Sequence, residues 1–387
     1  MNRLPFRRTL AGRMSLPETS SKMLEATIVT PSTSASTSCS RFTRLASSAA
    51  PPSVLVLLAL ACASPPPHIR FDSVPSSSPS TDGSYPNRSH PPLVSLEDFQ
   101  GFDRLPINVI SSEGAGAGVT GARKVVIEVG HRDEHITLKA KNFPLSLDGP
   151  NNSPRRELAA YAIQQFLLDP VDFVVPTFGV RCIPLEVWKT GNTGEPAQVP
   201  GTECALMSYA FWLEDVTLPD PLYDEQRFST DARYAYNLAN FNLLTYLVNH
   251  HDQRLGNVLV SKNDEDRRVF AIDNGTTFGQ FFFNWFYPPS FAWREIRVPA
   301  IPRNAVNRLR KLTEEDLEAL GVIMQLEADQ DGILRIEEPG DPIDEEEGVS
   351  VRGTTLQLGL TEDEIEDVWE RIEDLLEDID DSKIGIF

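Results

Sequence analysis

The chain has 387 residues, more than one small domain needs, and carries 56 Asp+Glu against 35 Lys+Arg for a formal net charge of −21. Residues 311–387 hold 26 of the acidic residues and 5 of the basic ones, so subtraction leaves 30 of each sign upstream. The acidity belongs to the C-terminal segment, where it reads as the solvated surface of helices. It argues against nucleic acid as a partner, whose phosphates would be repelled.

The first hundred residues do not read as core. Arg41 and Arg44 precede the apolar run Val54-Leu55-Val56-Leu57-Leu58-Ala59-Leu60-Ala61-Cys62, which is too short to span a bilayer comfortably. A basic flank, a short apolar run and the small-x-small triplet Ala59-Leu60-Ala61 are the anatomy of an export signal, with cleavage expected after Ala61. Cys62 would then lead the mature chain and be a candidate for lipid attachment and a membrane tether, although Leu60 before Ala61 departs from the usual lipobox. The long stretch before Arg41 is unusual for such a signal; a true start at Met14 or Met23 accounts for it, and a cytoplasmic protein that keeps residues 1–61 is the alternative. Residues 64–92 are rich in Ser and Pro and read as a disordered tether. The expected organisation is an N-terminal extension over 1–63, a linker over 64–95 and a folded domain over 96–387, exported or attached to the cell envelope.

Gly116-Ala117-Gly118-Val119-Thr120-Gly121 is a G-x-G-x-x-G. A dinucleotide fold would run from these glycines into a helix, but here they run into Lys124-Val125-Val126-Ile127-Glu128-Val129, a β-branched strand. The expected element is a flexible hairpin whose backbone N–H groups cover phosphates. Next, Ile136-Thr137-Leu138-Lys139-Ala140-Lys141 alternates as a strand, with Ile136 and Leu138 on one face and Thr137, Lys139 and Lys141 on the other. Lys139 is the phosphate-binding candidate; Lys141 shares its face, and the spacing does not separate the two. Ser153 and Pro154 open a helix whose apolar face is Leu158, Ala162, Ile163, Phe166 and Leu167, with Glu157 in its first turn. Val174-Val175-Pro176 and Cys204-Ala205-Leu206-Met207-Ser208-Tyr209 read as further strands, and Thr230 to Val248 as a long helix.

That helix delivers the chain to His250-His251-Asp252-Gln253-Arg254-Leu255-Gly256-Asn257, an H-x-D-x-x-x-x-N run. Sixteen residues separate Asn257 from Asp273 of Ile272-Asp273-Asn274-Gly275, enough for strand, polar turn and return strand. This order suits phosphoryl transfer. An aspartate sits beside the attacking hydroxyl as proton acceptor. An Asn on the same loop and an Asp at a neighbouring strand end hold a metal against the phosphates.

Downstream, Thr313-x-x-Asp316 and Thr361-x-x-Glu364 resemble capping boxes, and Ile365, Val368, Trp369, Ile372, Leu375, Leu376 and Ile379 form a helical stripe. Glu327-x-Asp329-x-Asp331-Gly332 with Glu338 copies part of a calcium loop, but Glu338-Pro339-Gly340 leaves no exiting helix, so an acidic turn is the preferred reading. Cys182 and Cys204, the cysteines downstream of the signal, either pair in an oxidising compartment or remain two buried thiols. No Cys/His spacing suggests zinc.

Taken together, these motifs resemble the protein-kinase-like superfamily in an atypical form, closest to the phosphatidylinositol 3-/4-kinase and secreted Golgi-kinase branches. Ile272-Asp273-Asn274-Gly275 in place of Asp-Phe-Gly, the Arg156-Glu157-Leu158-Ala159-Ala160-Tyr161 segment and the pair Val175-Pro176 favour those branches. No Ala-Pro-Glu follows Asp273, which puts a regulated activation loop in doubt. The resemblance covers roughly residues 105–380. It implies an α+β bilobal fold, with a β-rich small lobe over about 105–209 and a larger helical lobe over about 210–387. It implies ATP as cofactor, covered by Gly116, Gly118 and Gly121, bound through Lys139 paired with Glu157, and contacted at the adenine by a hinge strand carrying Met207 and Tyr209. Asn257 and Asp273 would hold Mg²⁺ or Mn²⁺, and Asp252 would act on a hydroxyl-bearing acceptor on a protein, glycan or lipid. The alternative is an inactive pseudokinase serving as a secreted or surface scaffold. A calcium-dependent adhesion protein leaves the upstream motifs unexplained.

Overall fold

The computed structural model of the chain describes residue 104 and residues 106–387, apart from 116–120, 130–134, 151, 264–266 and 280–292. The apolar run Val54–Cys62, the Ser/Pro tether, Gly116 and Gly118 lie outside the described residues. The described fold is mixed α+β, with seven α-helices and several antiparallel sheets. Among the described residues no helix is long and apolar enough to cross a membrane.

The sheet that carries the site has five strands: β1 (Ile107–Gly114), β2 (Arg123–Val129), β3 (His135–Asn142), β4 (Phe178–Pro184) and β5 (Cys204–Phe211). Their order is β1-β2-β3-β5-β4, with every neighbouring pair antiparallel. β1 and β2 pair antiparallel, and Ala115 N donates to Ala122 O at 3.0 Å where the chain leaves the sheet. Alternation decides the two faces. Val125, Ile127, Leu138, Ala140, Met207 and Tyr209 gather on one face, beneath Trp188 of α2 (Leu185–Gly191). Lys139 and Lys141 point to the other.

Helix α1 (Pro154–Leu167) starts where the capping residues placed it, and the Ser153 hydroxyl accepts from Arg156 N at 3.4 Å. It is buried on more sides than the apolar stripe indicates, including Ala159, Ala160, Tyr161 and Gln164. Gln164 explains one departure from the sequence reading. Val174-Val175-Pro176 is not a strand; the Gln164 Oε1 accepts from Val174 N and Val175 N at 3.0 and 2.9 Å, and its Nε2 donates to Val175 O. A buried side chain takes over the hydrogen bonds that a sheet partner would make. The strand begins two residues beyond Pro176, at Phe178.

The long helix expected over Thr230–Val248 is present over Ala232–Leu247, and a short helix precedes it. Asp231 ends α3 (Glu225–Thr230) and caps α4 (Ala232–Leu247), accepting from Tyr234 N at 3.1 Å. Leu238, Phe241, Leu243 and Leu244 of α4 are fully buried, and Asn237, Asn240, Asn242 and Thr245 are buried with them, so the helix lies inside the fold on nearly every side. β6 (Val216–Thr217), β7 (Val258–Ser261) and β8 (Val269–Ala271) form a three-stranded antiparallel sheet, and β7–β8 is the hairpin expected between Asn257 and Asp273.

The C-terminal segment holds β9 (Ala300–Ile301), α5 (Arg303–Leu309), α6 (Glu314–Glu318), β10 (Met324–Ala328), β11 (Leu334–Glu337), β12 (Val349–Arg352), β13 (Thr355–Leu358), α7 (Glu362–Asp380) and β14 (Gly385–Ile386). Both capping boxes form. Helix α7 buries Val368, Ile372, Leu375 and Ile379, each contributing about 2 kcal/mol by area. Its acidic residues Glu366, Glu370, Glu373 and Asp374 line the solvent face. A four-stranded antiparallel sheet, β11-β10-β13-β12, had no counterpart in the helical reading of this segment. Its first hairpin contains the calcium-like sequence. There Asp329 accepts from Asp331 N and Ile333 N and pairs with Arg335 at 3.0 Å, so its carboxylate serves the turn.

Cys182 and Cys204, on the paired strands β4 and β5, are joined in a disulfide with their Cα atoms 5.4 Å apart. The closed loop spans 22 residues, for which chain entropy gives about 3 kcal/mol. A Cys182→Ala/Cys204→Ala variant is expected to lose about 2–4 kcal/mol in denaturant melts under oxidising conditions. Equal midpoints for the two proteins would show that the thiols are not joined in solution.

Candidate functional site

The turn that follows β8 meets the first turn of α1. Asp273 adopts a left-handed conformation (φ 62°, ψ 50°) that turns the chain away from the strand. Gly275 then packs on the start of α1, where an added Cβ would stand 3.2 Å from Ser153 N. Two backbones approach closely at the glycine of Asp-x-Gly, and a larger residue there would need Ser153 to shift by a few tenths of an ångström. Glu157, on the first turn of α1, accepts from Asn274 N at 3.0 Å through Oε2.

The cationic side comes from β3. Lys141 Nζ lies 3.3 Å from Glu157 Oε1 and 2.5 Å from Asp273 Oδ1, and Lys139 Nζ lies 3.0 Å from the same Asp273 oxygen. The expected pairing of Lys139 with Glu157 is therefore corrected: Glu157 pairs with Lys141. The two lysines are two residues apart, about 6.6 Å along a strand. Glu157 is fixed at the Asp273 turn by its bond to Asn274 N, so it meets the lysine at that end. Lys141 is buried, whereas the Lys139 side chain is 22% exposed.

Electrostatics follow from this geometry. Burial alone would lower the Lys141 ammonium, but Glu157 and then Asp273 raise it above the ordinary lysine value. Burial would raise the Asp273 carboxyl, but Lys141 and Lys139 hold it well below the usual carboxylate range. Both groups remain charged across the physiological range. His250 is fully buried, and burial followed by the neighbouring His251 lowers its pKa to about 3 despite the opposing charge of Asp273. It is a neutral packing residue there.

Asp252 and Asn257 lie on the loop that runs beside the Asp273 segment. Asn257 Nδ2 donates to Asp252 O at 2.6 Å and to Asp252 Oδ2 at 3.1 Å, closing the loop on itself. Ile272 N donates to Asn257 O at 3.0 Å, which sets this loop beside Asp273. His251 N and Phe278 N add bonds to Thr276 O and Val248 O, so the two segments run together.

A cavity open to solvent lies over the lysines. Lys139, Lys141, Glu157 and Asp273 line one part of it, and Val175, Phe178, Ala210, Leu213, Leu259 and Ile272 line it with apolar surface. The lining suits a ligand that is part apolar and part ionic.

The adenine-side expectation needs correction. Met207 and Tyr209 turn away from the cavity into the cluster around Trp188. Lys141 pairs with Ser208 and Lys139 with Ala210 across β3–β5, and residues directly opposite share a face. Ser208 and Ala210 therefore line the cavity. Their alternation was visible in the sequence, but the register that chooses between the two sets was not. Phe178, Leu213 and Leu259 carried no motif that marked them. Gly121 is described, with φ 66°, at the base of the β1–β2 hairpin, which the cavity touches at Ala115.

No protein-family model matches the chain, and no curated protein gives a significant match.

Proposed function

We propose that the chain is an ATP-dependent phosphotransferase of bilobal, protein-kinase-like build. In this reading the five-stranded sheet and α1 are the small lobe, α1 being its regulatory helix, and α4 with the C-terminal segment is the large lobe. The observation that carries the reading is the Lys141–Glu157 pair with Asp273 beside it, at one part of a cavity otherwise apolar. Lys141, oriented by Glu157, binds phosphate oxygens, and Lys139 adds a second cation. The apolar surface from Val175 to Leu259 takes the base. Asp252 accepts the proton of an acceptor hydroxyl on a protein, glycan or lipid. Such a site positions groups and neutralises charge more than it does covalent chemistry.

Among the described residues no group of three His, Cys, Asp or Glu side chains gathers as a metal site. Mg²⁺ does not require one, because it takes one or two protein oxygens and completes its shell with phosphates and water. Asp273, 41% exposed at its side chain, and Asn257, bonded to Asp252 through nitrogen so that its amide oxygen remains an acceptor, fit that demand. They would hold the ion, which when bound neutralises charge on the transferred phosphate.

Thermal or chemical denaturation of the full chain with ATP and Mg²⁺ or Mn²⁺ tests the reading. A nucleotide at about 100 times its dissociation constant is expected to add about 2.7 kcal/mol. Asp273→Ala is expected to remove the metal-dependent part of that gain. No gain with ATP, GTP or ADP and either metal would leave the scaffold reading in its place.

A further inference from the structure

The acidic tail contains one carboxylate that is not on its solvent face. Glu364 lies in the first turn of α7, and its side chain is 6% exposed. It closes the Thr361 capping box, accepting from Thr361 N at 3.1 Å. The same carboxylate takes two arginines from α1. Arg155 Nη1 and Nη2 donate to Oε2 and Oε1 at 2.5 and 3.1 Å, and Arg156 Nη2 donates to Oε1 at 2.9 Å.

The surroundings are built for this arrangement. Arg155 also pairs with Asp148 at 2.7 Å and donates to Gly359 O at 3.2 Å. Gly348 leaves room for its guanidinium; a Cβ there would stand 2.4 Å from Nη1. Gly279, beyond the Asp273 turn, packs against both Arg156 and Glu364, and its carbonyl lies 2.8 Å from His251 Nε2. The residue after Arg155 and Arg156 is Glu157. A carboxylate more than two hundred residues away in sequence thus holds the turn of α1 that presents Glu157 to Lys141.

We propose that Glu364 is a positioning residue: through Arg155 and Arg156 it sets the first turn of α1 so that Glu157 engages Lys141. The acidic C-terminal helix is thereby part of the machinery that prepares the nucleotide site. A short carboxylate with two guanidinium partners and a cap to satisfy has one geometry, which makes it a better locator than apolar packing. This inference rests on the phosphotransferase reading for its effect on nucleotide, but the positioning itself does not need that reading.

The test uses the full chain as wild type, Glu364→Gln, Glu157→Gln and the double variant. Glutamine keeps the capping box and removes the charge that holds the arginines. With ATP and Mg²⁺ in calorimetry, each single variant is expected to bind about tenfold more weakly, as when the competent position of α1 falls to about a tenth of the population. The double variant should be no more than about twofold worse than either, because both changes act on the same pair. Additive losses of about a hundredfold, or unchanged affinity in Glu364→Gln, would overturn the proposal. Hydrogen exchange without nucleotide supplies the independent arm: residues 153–158 are expected to exchange faster in Glu364→Gln, and unchanged exchange there also overturns it. A wild-type chain that binds no ATP would defeat the phosphotransferase reading, and the exchange arm would still decide the role of Glu364. If Glu364→Gln does not fold, Arg156→Gln, which removes one of the contacts, carries the same readouts.

Discussion

Replacing Lys141 by alanine is expected to abolish nucleotide binding and to cost the fold about 3–5 kcal/mol, the range for removing one partner of a buried ion pair. The Lys141 side chain is 7% exposed and Glu157 is 10% exposed, so the truncation strands Glu157 away from water with its charge uncompensated. Lys139→Ala should be milder in both respects. Its ammonium is nearer solvent, and Asp273 keeps Lys141 when Lys139 is gone. The order is therefore opposite to the one expected from Lys139 as the partner of Glu157. Urea melts and ATP titrations of the two variants check it, and a Lys139 variant that proved the more damaged would reject the assignment. The pH dependence has two limits. The Lys141 contribution is whole below the unfolded lysine value of about 10.4 and is lost as pH rises through its raised folded value. The Asp273 contribution is present above the unfolded carboxylate value of about 3.9 and is lost as pH falls through its depressed one.

The second large effect belongs to catalysis. Asp252→Asn is expected to cut turnover by about 10²–10⁴ while leaving ATP affinity nearly unchanged. Asp252 is tied to Asn257 through its main-chain carbonyl as well as its carboxylate, so the loop keeps a bond that the substitution does not remove. What is lost is a proton acceptor. Its carboxylate stays accessible, with the side chain 30% exposed and Arg254 Nε 3.5 Å away. Turnover is measured as ADP release with and without an acceptor, and affinity by calorimetry. Loss of ATP binding in Asp252→Asn would mean that this loop faces the nucleotide and not the acceptor.

Local chemistry made much of this molecule legible in one dimension. Alternation placed β3, because a half-buried strand has period two, and β-branched composition placed β2. Ser153, Thr313 and Thr361 marked helix starts, because the orphan N–H groups of a first turn need a nearby oxygen. The spacing from Asn257 to Asp273 fitted a hairpin, and a hairpin is there. Each of these depends on neighbours within a few residues.

The tertiary structure decided whatever depends on a distant partner. Period two put Lys139 and Lys141 on one face but could not say which one α1 would reach; the Asp273 turn, through Asn274 N, chose Lys141. The β3–β5 register turned Ser208 and Ala210, and not Met207 and Tyr209, toward the cavity, and a strand does not carry its partner's register within itself. Gln164 held Val174 and Val175 out of a sheet from a neighbouring helix. Glu364 read as one more charge on an acidic helix and as a local cap. Only the folded chain, by packing the start of α7 against the start of α1, made it the partner of two arginines beside the site.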